Sequence, residues 1–136
     1  MADLTVTAAD VRPLPGCVVR RFTAGGAIDV GAPVVLSAAK TVVEADASTL
    51  AGATAIGVMV ATAPNAASTT AAASGEECDV ALFGPVAGFA CTYNTIYYVD
   101  DDAGVIADAA GTKSFIIGIG LDTETLLVRP QFVALS

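Results

Sequence analysis

The sequence predicts an all-β fold: an antiparallel β-barrel or sandwich, jelly-roll-like, with at most one short helix. Three observations carry this expectation. Short β-rich runs alternate with clusters of Gly, Pro, Asp and Ala along the chain, the pattern of many short strands joined by tight turns. Several runs alternate in polarity. In CDVALFG, Cys78, Val80 and Leu82 fall on one face and Asp79, Ala81 and Phe83 on the other, which is the two-residue period of a strand. No stretch sustains the period of a long helix.

Candidate strands fall at 4–7, 17–22, 33–37, 41–44, 56–61, 78–83, 86–90, 95–100, 105–107, 115–121 and 125–129. One short helix fits within EADASTLAGATA (44–55), with Asp46 or Ser48 as its cap. Residues 1–15 read as an N-terminal extended arm or a first strand, ahead of a single β-domain over 16–136. Pro13 and Pro15 fix φ and bias the residues before them toward extended geometry. A short arm cannot bury Leu4, Val6, Val11 and Leu14 by itself. These four form a possible interface if the arm adds to a neighbour's sheet edge; the other reading pairs the segment within its own sheet. The loop TAPNAASTTAAASGEE (62–77) reads as mobile, or as ordered only by a neighbour.

Two segments resemble each other. GAPVVLSAAKTVVEADAS…AIGVMV aligns with YNTIYYVDDDAGVIADAAG…IIGIGL, placing Val34 on Tyr97 and Gly57 on Gly118. Each copy is expected to be a strand, a turn, a strand, a connection and a Gly-containing strand. Such a Gly marks a bend or a close backbone approach.

The bulk numbers narrow the function classes. A chain of 136 residues suits one domain and buries roughly 68% of its unfolded surface, enough to fold without disulfides or metal. Charged residues are only 15% and hydrophobic ones 54%, against a typical ~25% charged. So uncharged a surface points to packing against other chains, hence a homo-oligomer or larger assembly. The formal net charge is −8, and the six basic residues are dispersed. They make no phosphate-neutralising stripe, so no nucleic-acid partner is expected. No apolar run is long enough for a membrane helix, and the opening MADLTVTAAD lacks the basic and apolar regions of a signal peptide. Cys17, Cys78 and Cys91 are odd in number and lack a C-x-x-C spacing, so they read as buried small hydrophobes.

The motifs predict no catalytic set, no cofactor and no metal. Asp100, Asp101 and Asp102 invite a calcium reading, but Gly104 stands one place too early for an EF-hand loop and Gly111 occupies the place of its final glutamate. Asp and Gly between two β-runs instead read as a turn. Ser37 to Lys40 gives an S-x-x-K match, yet between two strands it reads as a hairpin turn. With no histidine, neither a Ser-His nor a Cys-His nucleophile exists. A carboxylate-dependent hydrolase stays open, as does a carbohydrate- or receptor-binding head appendage, though the chain has no tryptophan.

The order of elements resembles a known group. VVRRFTAGGAIDVGAPVVLSAAKTV, AIGVMVATAP, GEECDVALFGPVAGF, IYYVDDDAGVI and IIGIGLDTETLLVRPQF are similar to segments of the small capsid decoration, or cement, proteins of tailed bacteriophages. The resemblance covers residues 16–132. It implies a structural virion protein that sits on the capsid exterior, is assembled in the host cytoplasm, and clamps neighbouring major capsid subunits. It implies the major capsid protein as partner, a dimer or trimer of the chain itself, and no catalytic residues. Unpaired cysteines fit a reducing cytoplasm.

Overall fold

The computed structural model describes residues 3–132. They are nearly all β, 48% strand and 5% helix. After a 3-10 turn at Ala8–Asp10, the elements are β1 (Arg12–Pro13), β2 (Val18–Ala24), β3 (Ile28–Asp29), β4 (Pro33–Ala38), β5 (Thr41–Glu44), α1 (Leu50–Ala53), β6 (Gly57–Thr62), β7 (Ala71–Ala72), β8 (Glu77–Ala87), β9 (Ile96–Val99), β10 (Ile106–Ala107), β11 (Phe115–Gly120) and β12 (Thr125–Phe132). Strands β2, β5, β4, β6 and β8 close into a five-stranded barrel. Four of its contacts are antiparallel; β2 and β5 run parallel. An odd ring cannot alternate direction all the way round, so closing five strands requires at least one parallel pair. The all-antiparallel expectation fails there for that reason.

A second, antiparallel sheet runs β10–β9–β11–β12 and joins the barrel through β8. Residues 77–83 of β8 pair with β2 and β6, and residues 84–87 pair with β12 and β1. Between the halves lies Gly84, at φ +120°, where an added Cβ would come within 2.6 Å of the Cys17 Cα. Only glycine takes such a bend at so close an approach. Pro85 follows without disrupting the ladder. Its carbonyl accepts the Leu14 N–H at 3.0 Å, and the Leu14 carbonyl is engaged by the Cys17 N–H at 3.1 Å, so the missing proline donor leaves no acceptor unpaired.

The internal repeat is present in the register. β4 pairs with β5 and β6 as β9 pairs with β10 and β11. Val34 stands opposite Gly57, and its counterpart Tyr97 stands opposite Gly118. A Cβ on Gly57 would strike the Ala81 carbonyl of β8, and one on Gly118 the Leu127 carbonyl of β12. Each repeat thus uses a glycine to bring its third strand against the next one. The copies meet at Ala45 and Ala47, both fully buried. There Ala47 N–H bonds the Asp100 carbonyl at 2.7 Å and Gly104 N–H bonds the Ala45 carbonyl at 2.9 Å.

One continuous core runs through both sheets, with Phe89, Ile28, Met59, Ile106, Ile117 and Leu126 among its largest buried side chains. The helix is a single turn. Its cap is Thr49, whose Oγ1 accepts the Gly52 N–H at 3.0 Å, and not Asp46 or Ser48. Asp46 instead accepts the Ser48 N–H at 3.1 Å and shapes the turn before the helix. The 62–77 loop is ordered by its own chain. Ala71–Ala72 pairs with β3, and the Glu76 carboxylate accepts the N–H groups of Ala73 and Ala67 at 2.8 and 3.2 Å.

The N-terminal segment pairs within the chain. Leu4 N–H bonds the Ile106 carbonyl at 2.7 Å, and Thr7 N–H and the Thr5 carbonyl bond Gly88 and Ala90. It thereby covers the outer edge of β10 and continues to β1 beside β8. Leu4 and Val11 are buried in the core, Val6 packs on it half-buried, and Leu14 is half-buried at the turn into β2. Leu4→Ala is therefore expected to cost about 2 kcal/mol or more, the usual penalty for a buried leucine. Deleting residues 3–12 should lower the melting temperature of the isolated chain. A deletion that leaves the urea midpoint unchanged would return the segment to the role of a neighbour-seeking arm. Gly57→Ala and Gly118→Ala should each cost about 2–3 kcal/mol from overpacking against backbone. Gly26→Ala, with no atom within 4 Å of the added Cβ, should stay within about 0.5 kcal/mol.

Candidate interaction surface

The barrel closes at β2, and closes there only in part. Partners on β8 run from Val18↔Phe83 to Thr23↔Glu77, whereas β5 meets β2 only at Thr23↔Thr41 and Ala24↔Val42. Ala24 N–H bonds the Glu76 carbonyl on the β8 side, and Thr23 N–H bonds the Lys40 carbonyl on the β5 side, both at 2.8 Å. Main-chain groups alternate sides along a strand. Val19 and Arg21 therefore turn theirs the same way as Thr23, toward a side where no strand of the described residues pairs with them. The β4–β5 hairpin stops short of this stretch, turning at Lys40 with φ 59°.

The side chains along this edge are exposed on both faces of the strand, from Val18 through Arg21. Val18 keeps 51% of its surface, and Phe83, directly across on β8, keeps 49%. Arg21 Nε donates to Asp79 Oδ1 at 3.0 Å, and its Nη1 lies 3.6 Å from Glu77 Oε2. Arg20 and Lys40 have no ion pair among the described residues. Three of the chain's six basic residues, Arg20, Arg21 and Lys40, thus border one strand edge. The site was missed in the sequence because neighbours across a sheet are not written in it. A signal was nonetheless present: Val18-Val19-Arg20-Arg21 pairs like with like instead of alternating, which suits a strand with no buried face. Tyr93, Ile96 and Leu121 form a second exposed apolar group, beside the bonds that join the 92–95 turn to Gly120.

Asp100 and Asp101, singled out in the sequence, are engaged within the chain. Asp100 is buried and its Oδ2 accepts the Asp102 N–H at 3.2 Å; Val105 N–H bonds the Asp102 carbonyl, and Gly104 takes φ +77°. Asp101 turns away to accept the N–H and hydroxyl of Thr112 at 2.8 and 2.7 Å. The Asp100 and Asp101 carboxylates and the Asp102 backbone therefore shape a turn, as the spacing indicates. Ser37 ends up on β4 and Lys40 at the hairpin turn. Cys78 and Cys91 are buried, and burial pushes both thiols up to about 11; Cys17 is half-exposed, which differs from the expectation for all three. Tyr97 is buried and Tyr98 half-exposed, as adjacent strand residues must be. The Phe132 side chain lies outside the described residues.

The sequence matches no protein-family model and no curated protein.

The carboxylate bonds set an acid response. The Thr112 N–H and hydroxyl hold the Asp101 carboxyl below its usual range, and the Ala73 and Ala67 N–H groups do the same for Glu76. A depressed carboxyl contributes stability above its unfolded value, about 4, and loses it as pH falls through the folded value. Thermal unfolding should therefore shift downward as pH drops below about 4, and Asp101→Ala should flatten part of that slope. A chelator at neutral pH should leave the unfolding curve unmoved. A chelator-dependent melting temperature would show that a bound cation, and not turn chemistry, organises the aspartates.

Proposed function

We propose that the chain is a structural virion protein that binds the outer surface of a tailed-phage capsid and stabilises it by clamping neighbouring major capsid subunits. The single observation that carries this reading is the open β2 edge flanked by Val18, Val19 and Phe83. Its uncommitted recognition groups lie along a strand and both its faces, an arrangement suited to gripping another protein. The segment resemblance over residues 16–132 supplies the identity of that partner. Low charge and abundant small apolar residues fit a chain that works against other subunits, including copies of itself in a dimer or trimer. Assembly in the host cytoplasm suits thiols that stay reduced, and a net charge of −8 disfavours nucleic acid as a partner. No catalytic step belongs to this proposal.

The test is co-sedimentation with undecorated capsids assembled from the major capsid protein encoded in the same genome. The folded chain is expected to pellet with them at micromolar concentration and to raise their thermal disruption temperature. A folded chain that stays in the supernatant rejects the capsid reading.

A further inference from the structure

Two sheet edges of this molecule are treated in opposite ways. The outer edge of β10 is covered, because Asp3 and Leu4 lie along it and the Leu4 N–H takes the Ile106 carbonyl. Among the described residues, the edge of β2 from Val19 to Arg21 has no partner strand, and its main-chain donors and acceptors face away from β8. An open edge of this kind is a template for another strand. A strand placed there would continue the barrel where the β4–β5 hairpin ends, in line with β5.

The charges select the occupant. Arg21 is already neutralised by Asp79 and Glu77, but among the described residues Arg20 and Lys40 have no ion pair. The chain carries 14 acidic and six basic residues, so cations flanking an open edge run against its overall balance. A second copy of β2 fits poorly. The two-fold, antiparallel register centred on the open stretch pairs Val19 with Arg21 of the copy and sets the two Arg20 side chains face to face, and like charges directly opposite destabilise a sheet. An acidic strand reverses that sign, while Val18 and Phe83 on one face and Val19 on the other offer it apolar contact.

We infer that the β2 edge binds an extended acidic segment of a partner protein by strand addition, with Val19 and Arg21 supplying the main-chain hydrogen bonds and Arg20 and Lys40 the charge selection. This deepens the reading of the chain as a protein-binding virion component and is independent of which capsid it meets.

The probe is a synthetic peptide alternating glutamate and valine, labelled for fluorescence anisotropy, with a lysine–valine peptide as its counterpart. The glutamate peptide should bind at least tenfold more tightly than the lysine peptide. Arg20→Glu should erase or invert that preference. Val19→Pro removes a donor that points away from β8, so the β2–β8 ladder keeps its bonds, and the variant should lose at least tenfold in peptide affinity at an unchanged melting temperature. Hydrogen exchange on the unmodified protein gives a readout that needs no variant: the Val19 and Arg21 amides should gain protection on adding the glutamate peptide. Equal binding of the two peptides, or binding that leaves those amides unprotected, would overturn the inference. So would a dimer in light scattering that Val19→Pro disperses, which would reassign the edge to a second copy. Peptide binding without capsid co-sedimentation would sink the capsid reading alone, and co-sedimentation without peptide binding would sink strand addition alone.

Discussion

Strand β8 belongs to two sheets at once, and every other long strand takes its position from that fact. Its first part is clasped between β2 and β6, and its last four residues between β1 and β12. Backbone pairing on both sides leaves it little freedom to slip. A shift of one residue would turn Val80 and Val86, fully buried now, toward the wrong side. The bend at Gly84 lets one strand turn from the barrel into the second sheet without breaking either ladder. The two copies of the internal repeat can then attach in equivalent ways. Gly57 brings the first against β8 and Gly118 brings the second against β12.

Much of this architecture was legible in the sequence, and the exceptions have physical causes. The run expected at 41–44 is β5, and the one expected at 125–129 opens the longer β12, Thr125–Phe132, because apolar and β-branched residues lie there between turn formers. The runs at 78–83 and 86–90 looked separate because Gly84-Pro85 is ordinarily a break. In the fold it is a bend within one strand, since the neighbouring backbone at Leu14–Cys17 satisfies it. The repeat was visible because its glycines are forced by backbone contact. The parallel β2–β5 pair was not, because strand direction around a closed ring is set by strand number and connectivity. Among the residues read as a possible interface, Leu4 and Val11 are used by the chain for its own core. Apolarity at a terminus says that a side chain needs cover and does not say whose.

The treatment of edges shows how the chain manages its own adhesiveness. Exposed strand edges promote indiscriminate pairing, and soluble β proteins blunt them with cover or with charge. Cover is applied at β10 by the N-terminal segment. Charge is applied at β2, where Arg20, Arg21 and Lys40 border the opening. In the strand-addition inference, the cations that set like charges against a second copy also favour a strand of opposite sign, so protection and selectivity would come from one set of side chains.

The central place of β8 also has a consequence in time. Arg12 and Pro13 pair with Ala87 and Val86, and residues 18–23 await residues 77–83. During synthesis the whole first half of the chain is therefore made before its main template exists. Closing such long loops is slow in entropic terms, and until they close the open β-segments are exposed to association with other nascent chains. Once β8 is available, β2, β6 and the β1 segment gain their template within one short stretch of translation. Assembly of this fold is thus expected to be abrupt and late, with little of the native structure accumulating in fragments that end before Ala87.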